Sequence, residues 1–191
     1  MKILIDTNVV LDFLLQRELF FQDAEHLFQA VGKGQVIGYV TATTLTDIFY
    51  ITQCATFLKP PKRTLTLALS RRRGNQRSLE SPSPAGEGFG VRVLSCTSRY
   101  IARRHTQSLE KARQAVSETL IAMAVCPVDG DVLESALSSD CADFEDAVQI
   151  FSAIAQGLDA IVTRDAHGFV NSPLSTLTVK ELLTQIAATS S

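Results

Sequence analysis

Two acidic residues each follow a short apolar run of the kind that forms a buried parallel strand. Asp6 comes directly after residues 2–5 (KILI), and Asp165 comes just after residues 159–163 (DAIVT). A buried carboxylate is costly unless something uses it, and ligands of open α/β sheets bind at the carboxyl ends of the strands. If the two strands are neighbours, Asp6 and Asp165 lie within reach of each other.

Three further acids stand near the starts of helices predicted to begin at the same edge. Asp47 follows the second predicted strand, while Asp143 and Asp146 are three residues apart and share a helical face. Capping or compensation of the helix dipole would also explain these acids, and it explains Asp143 best. Asp165 could likewise be present because Asp favours turns, whereas no structural role explains Asp6. Four segments can therefore bring carboxylates to one sheet edge.

Several carboxylates packed together repel one another, and their pKa values rise unless a cation is present. An oxygen-only set suits a hard ion, Mg²⁺ or Mn²⁺. Such an ion keeps some of its waters, accepts phosphate oxygens as ligands and can orient a water for in-line attack. The acids therefore predict metal-dependent phosphodiester cleavage.

Strands and helices alternate along most of the chain, which predicts a parallel sheet covered by helices. One domain over residues 1–187 is expected, with residues 188–191 as a tail. The predicted strands are residues 2–5, 36–40, 121–128, 159–163 and 177–179. The predicted helices are residues 9–15, 21–31, 45–51, 108–120, 129–137, 140–156 and 180–187.

One segment breaks this pattern. From about residue 52 to residue 98 the chain loses periodicity and fills with Pro, Gly, Ser and Arg. Tyr50-Ile51 before it is echoed by Tyr100-Ile101 after it, so residues 52–100 are interpreted as an inserted, flexible block that splits a helix. Residues 52–98 hold eight Lys and Arg against two Glu, a charge of +6, which leaves −8 for the rest of this chain of net charge −2. A solvated loop explains the basic run better than a nucleic-acid arm does.

The composition argues against other classes of protein. No apolar run reaches the length of a membrane span, and the N-terminus lacks the pattern of a signal peptide, so a cytoplasmic protein is expected. The cysteines are scattered without a C-x-x-C pair, which argues against a zinc site or a disulfide framework. They are Cys54, Cys96, Cys126 and Cys141, and the three histidines are His26, His105 and His167.

Three stretches in this order resemble the PIN domain family: ILIDTNVVLDFLL, TTLTDIFYI and DFEDAVQIFSAIAQGLDAIVTRDAHGF. The resemblance covers residues 1–51 and 100–187. It implies a three-layer α/β/α sandwich with a central, mostly parallel sheet, and a Mg²⁺- or Mn²⁺-dependent ribonuclease. It also implies the toxin of a VapBC-like toxin–antitoxin pair, an antitoxin that occupies the acidic site, and a homodimer.

The same resemblance assigns roles to residues of this chain. Asp6, Asp146 and Asp165 match the first, helix-borne and last acids of the family and are the expected metal ligands. Asp47 stands where the family usually has Glu, so its carboxylate is one methylene shorter. The expected catalytic residues are Asp6, Asp47, Asp146 and Asp165, and the expected supporting residues are Asn8, Thr163 and Asp143.

Two other functions are compatible with the sequence alone. A haloacid-dehalogenase-like phosphatase also starts with a strand that ends in Asp, but it needs a second Asp where this chain has Asn8. The second alternative is a catalytically weakened PIN-fold module that binds RNA or protein, its site disturbed by the insertion. Four other acids are predicted to be surface or turn residues: Asp12, Asp129, Asp131 and Asp159.

Overall fold

A computed structural model describes residues 1–58 and 89–189, with only the backbone described over residues 89–100. Five strands form one sheet in the order β3-β2-β1-β4-β5, and all neighbouring strands run parallel. The strands are β1 Lys2–Ile5, β2 Ile37–Thr41, β3 Ala124–Cys126, β4 Ala160–Val162 and β5 Ser175–Leu177. The prediction of a parallel sheet is confirmed.

Seven helices are described. They are α1 Thr7–Leu14, α2 Phe21–Gly32, α3 Ala42–Leu58, α4 Phe89–Ala122, α5 Gly130–Leu137, α6 Phe144–Ala155 and α7 Val179–Thr189. A short 3₁₀ turn, Ala166–Phe169, follows β4. No helix within the described ranges is both long and apolar enough to cross a membrane.

The central strand β1 separates two hydrophobic cores because successive strand side chains point to opposite faces. Ile3 and Ile5 are fully buried in one core, together with side chains from α1, α2, α3, α4 and α7. Leu4 is fully buried in the other core, which contains Ile150 of α6. α5 packs beside α6 on that second face. The three-layer α/β/α arrangement is therefore confirmed.

The register between β1 and β4 places the ends of these two strands side by side. Ile5 pairs with Val162, and the backbone N–H of Asp6 donates to the carbonyl of Val162 over 3.0 Å. Asp6 is therefore next to the residues that follow β4, as predicted.

The prediction of irregular chain from residue 52 to 98 is wrong at both ends. α3 continues to Leu58 and α4 begins at Phe89, so residues 52–58 and 89–98 are helical. α3 and α4 are two antiparallel helices in contact, with Arg104 near Thr56 at one end and Ala115 in the same core as Ile48 further along. Most of the basic run falls in residues 59–88, outside the described residues.

Candidate active site

Asp6 is held at the junction of β1 and α1. It occupies the N-cap position of α1, but its side chain makes no capping hydrogen bond. The carboxylate instead accepts hydrogen bonds from Thr163 Oγ1 over 2.6 Å, from Gln149 Nε2 over 3.3 Å and from Asn8 Nδ2. Asp6 is only 5% exposed. Asn8 therefore lies against the first acid, as the family resemblance implies. Thr163, expected to support Asp165, donates its hydroxyl proton to Asp6 instead.

Burial raises the pKa of Asp6 above its ordinary value, because a charge removed from water is destabilised. The hydrogen bonds from Thr163 and Gln149 act in the opposite direction, since they stabilise the ionised form. The three side-chain donors also fix the orientation of the carboxylate.

Asp6 lies in a cleft of about 390 Å³ at the carboxyl ends of the strands. All four acids predicted to be catalytic line this cleft, and a fifth acid joins them. The acidic lining residues are Asp6, Asp47, Glu145, Asp146 and Asp165. The structure thus brings together carboxylates from the junction of β1 and α1, from α3, from α6 and from the turn after β4.

Asp143 caps α6 and does not line the cleft. Its Oδ1 accepts hydrogen bonds from the backbone N–H groups of Glu145 and Asp146, over 2.8 and 3.4 Å, and its side chain is exposed. The capping alternative therefore describes Asp143, although its charge still acts on Asp146.

Glu145 is the acid that the sequence analysis missed. It lies on the first turn of α6, and its pKa is raised to about 7 by partial desolvation of its carboxyl group, by the charge of Asp47 and a hydrogen bond with it, and by the charge of Asp6. Thr7 Oγ1 lies 3.4 Å from Glu145 Oε1 and 3.1 Å from Thr44 Oγ1, and its single proton can be donated to either, so this hydroxyl stands between α6 and α3. The only sequence signal was its position inside the acidic start of α6.

Asp146 shares this crowded environment. Its pKa is raised to about 6 by burial and by the charges of Asp143, Asp6 and Asp165. It also packs closely on Gly168, where a Cβ atom would lie 1.9 Å from Asp146 Oδ2. Any residue with a Cβ atom at position 168 would displace the Asp146 carboxylate, so this position requires glycine.

Asp47 and Asp165 differ from expectation in detail. α3 begins at Ala42, so Asp47 stands in the second turn and no first-turn role explains it. Asp165 lines the cleft and also caps the 3₁₀ turn, because its Oδ1 accepts from the N–H of His167 over 3.1 Å. Its own N–H donates to Thr163 Oγ1 over 3.0 Å.

The prediction that Asp12 is a surface or turn residue is wrong. Asp12 is 2% exposed on α1, and its Oδ1 pairs with Arg17 Nη1 over 3.1 Å and with Arg164 Nη1 over 3.0 Å. Asp129 caps α5 by accepting from the N–H of Val132. Asp131 and Asp159 are exposed, as expected.

The chemistry of the cleft suits a hard cation, because most of its charged side chains are carboxylates, whose oxygens can serve as metal ligands. Their mutual repulsion, visible in the raised pKa values of Glu145 and Asp146, is what a divalent ion would relieve. Within residues 1–58 and 89–189, no three His, Cys, Asp or Glu side chains are grouped tightly enough to hold an ion as they stand.

The sequence matches the profile of the PIN domain family over residues 2–78 and 94–167. The match enters the segment interpreted as an insertion from both sides and leaves residues 79–93 unmatched. A solved structure, VapBC2 from Rickettsia felis bound to a DNA fragment from their promoter, contains a chain similar in fold. Its TM-score is 0.52 at 10% identity, over 93% of this chain and 98% of that chain. No curated protein matches.

Proposed function

The chain belongs to the PIN domain family, and from this premise we propose that it is a metal-dependent ribonuclease. The observation that carries the proposal is the convergence of five carboxylates on one cleft at the carboxyl edge of the sheet. A cleft so rich in negative charge repels RNA unless a cation lies between them, and Mg²⁺ or Mn²⁺ is the ion that such oxygen ligands prefer.

Asp6, Asp146 and Asp165 are the residues proposed to hold the ion, with Asp47 and Glu145 on the neighbouring walls. When bound, the ion would polarise a phosphodiester oxygen and lower the pKa of a water. The chain's own contribution is orientation. Thr163, Asn8 and Gln149 fix the Asp6 carboxylate, and the Asp143 cap fixes the first turn of α6.

The regular geometry of α3 favours an active enzyme over a weakened binding module. Asp47 lies 11 residues before the last residue of α3, which is about three helical turns. The helix therefore continues well past the acid, and regular helical structure surrounds Asp47 on both sides. The shorter side chain of Asp47 is the feature that keeps the binding module as the second candidate.

The proposal includes a role as the toxin of a type II toxin–antitoxin pair. The supporting observation is the likeness in fold to a chain of VapBC2. A small antitoxin that covers the acidic cleft and a homodimer of this chain are the proposed partners, with RNA as the substrate. Co-expression with the product of a small adjacent gene, followed by purification of the complex and loss of cleavage, would test the pairing.

The experiment for the catalytic proposal compares the full chain with Asp6→Asn on labelled RNA, with Mg²⁺, with Mn²⁺ and with EDTA. We expect cleavage that needs the metal and falls by at least about 100-fold in Asp6→Asn, because one donor to the ion and its negative charge are lost. Asp131→Asn is the matched control, the same chemical change at an exposed acid on α5.

The outcomes separate the two candidates. Cleavage that survives EDTA, or that is equal in Asp6→Asn and the native chain, would refute the metal-dependent mechanism. Salt-sensitive RNA binding by the native chain without cleavage under either metal would instead establish the binding module.

A further inference from the structure

Arg17 lies between the acidic cleft and a larger neighbouring groove. Of the described residues that line the cleft, it is the one with a positive charge. The same side chain also lines a larger groove of about 1050 Å³, formed by the end of α1 together with α3 and α4. A polymer that passes from the groove into the cleft therefore passes Arg17.

Backbone and side-chain contacts both fix Arg17. Its N–H donates to the carbonyl of Asp12 over 3.1 Å, and its carbonyl accepts from the N–H groups of Phe20 and Phe21 over 2.9 and 2.8 Å. Its Nη1 donates to Asp12 Oδ1 over 3.1 Å. The guanidinium is thus held at the cleft by a carboxylate that is itself buried.

A second arginine, Arg164, also binds the Asp12 carboxylate. Arg164 Nη1 donates to both carboxylate oxygens of Asp12, over 3.0 and 3.2 Å, and its guanidinium lies 4.4 Å from the centre of the Phe20 ring. Two guanidinium groups on one carboxylate leave a net charge of +1. A guanidinium carries five N–H donors, of which Arg17 uses one on Asp12.

We propose that Arg17 binds a phosphate of the RNA chain and so positions the phosphodiester at the acidic cleft. This inference rests on the proposed ribonuclease function. The planar donor fork of arginine matches phosphate oxygens in geometry. The two arginines are equally exposed, but only Arg17 lines the cleft, since Arg164 lines a separate pocket with Phe20 and Val179.

This difference supplies the control. Arg17→Gln and Arg164→Gln each leave Asp12 with one arginine. Arg164→Gln also removes the contact with the Phe20 ring, so it is the more demanding of the two for folding. We would measure the affinity of each full-length variant for a fluorescent single-stranded RNA, with Ca²⁺ as the divalent ion, over a series of KCl concentrations. The steady-state kcat and KM with Mg²⁺ would be measured in parallel, and Tm would verify the fold.

We expect Arg17→Gln to weaken RNA binding by about tenfold or more and to reduce the slope of log affinity against log salt by about 0.7. Arg164→Gln should leave that slope unchanged. Arg17→Lys keeps the charge and loses the fork, so it should restore the slope and recover only part of the affinity.

The failures are distinguishable. If the native chain neither binds nor cleaves RNA, the proposed ribonuclease function fails. If the native chain binds and cleaves while Arg17→Gln keeps the native slope and KM, or while Arg164→Gln lowers the slope equally, the assignment of Arg17 is overturned and the ribonuclease proposal stands.

Discussion

At the scale of single residues, the site depends on groups that carry no charge. Thr163, Asn8 and Gln149 determine how the Asp6 carboxylate is turned, and Gly168 determines where Asp146 can be. Each of these contacts limits the orientation of one carboxylate and contributes little to the packing of the core. Small changes in neutral residues should therefore affect activity more than stability.

Gly168→Ala tests this expectation. Its added Cβ would stand 1.9 Å from Asp146 Oδ2, so the carboxylate must rotate away from its place in the cleft. We expect kcat/KM for RNA cleavage to fall by about tenfold or more, because Asp146 is a proposed metal ligand and a small misplacement at a reacting centre is costly. Tm should change little, since a single side chain can move aside.

Gly130→Ala is the control for this variant, because a Cβ at Gly130 meets nothing within 4 Å. If Gly168→Ala cleaves RNA as fast as the native chain, the close contact with Asp146 has no functional role. If both variants lose activity equally, the loss is not specific to the cleft.

At the scale of elements, the end of α1 sets the position of Arg17. Gln16 follows the helix with φ 51°, a left-handed conformation that favours glycine. The N–H of Arg17 reaches back to the carbonyl of Asp12, as in the common glycine-terminated helix end. Glutamine is therefore strained at a turn that the fold requires.

Gln16→Gly should stabilise the protein by up to about 1 kcal/mol, because it relieves this strain. The measurement is the free energy of unfolding from denaturant titration. Lys33→Gly, at the negative φ of −82° that ends α2, is the control and should destabilise or have no effect. A loss of stability in Gln16→Gly as large as that in Lys33→Gly would contradict the assigned strain.

The same elements explain what the sequence could predict. The convergence of Asp6 and Asp165 followed from the end points of two parallel strands, which leave little geometric freedom. The burial of Asp12 did not follow, because one of its two partners, Arg164, lies 152 residues away. Glu145 was missed because its interaction with Asp47 joins α6 to α3, two helices far apart in the sequence, and residue spacing within α6 does not predict that contact.

Residues 52–58 illustrate a different limit. They carry no clear amphipathic pattern, yet they are helical in α3, where Thr56 and Phe57 lie against Arg104 of α4. Tertiary contact between two helices here outweighs weak local preference. The sequence pattern therefore located the strands and the site better than it located the ends of this pair of helices.

At the scale of the whole molecule, the carboxylate cluster should make stability depend on pH. Folding raises the pKa of Glu145 to about 7 and of Asp146 to about 6, and it raises that of Asp6. Between the unfolded and folded pKa values the folded chain binds more protons than the unfolded chain. The free energy of unfolding must therefore fall as pH rises through this window.

We expect the Tm of the metal-free protein to be higher at about pH 5 than at about pH 8. Glu145→Gln should reduce this difference, because it removes the acid with the pKa near 7. Glu134→Gln, an exposed acid on α5, is the control. A Tm in EDTA that is equal at the two pH values, or higher at the alkaline one, would contradict the prediction.

The register of β1 against β4 has a further consequence, for the time at which the chain acquires its site. Asp6 is synthesised 143 residues before Gln149 and 157 residues before Thr163. Domains are synthesised from the N-terminus at about 5–20 residues per second. A nascent chain therefore carries Asp6 for several seconds or more before the partners that orient it exist, and the acidic cleft cannot be complete until Asp165 has been synthesised.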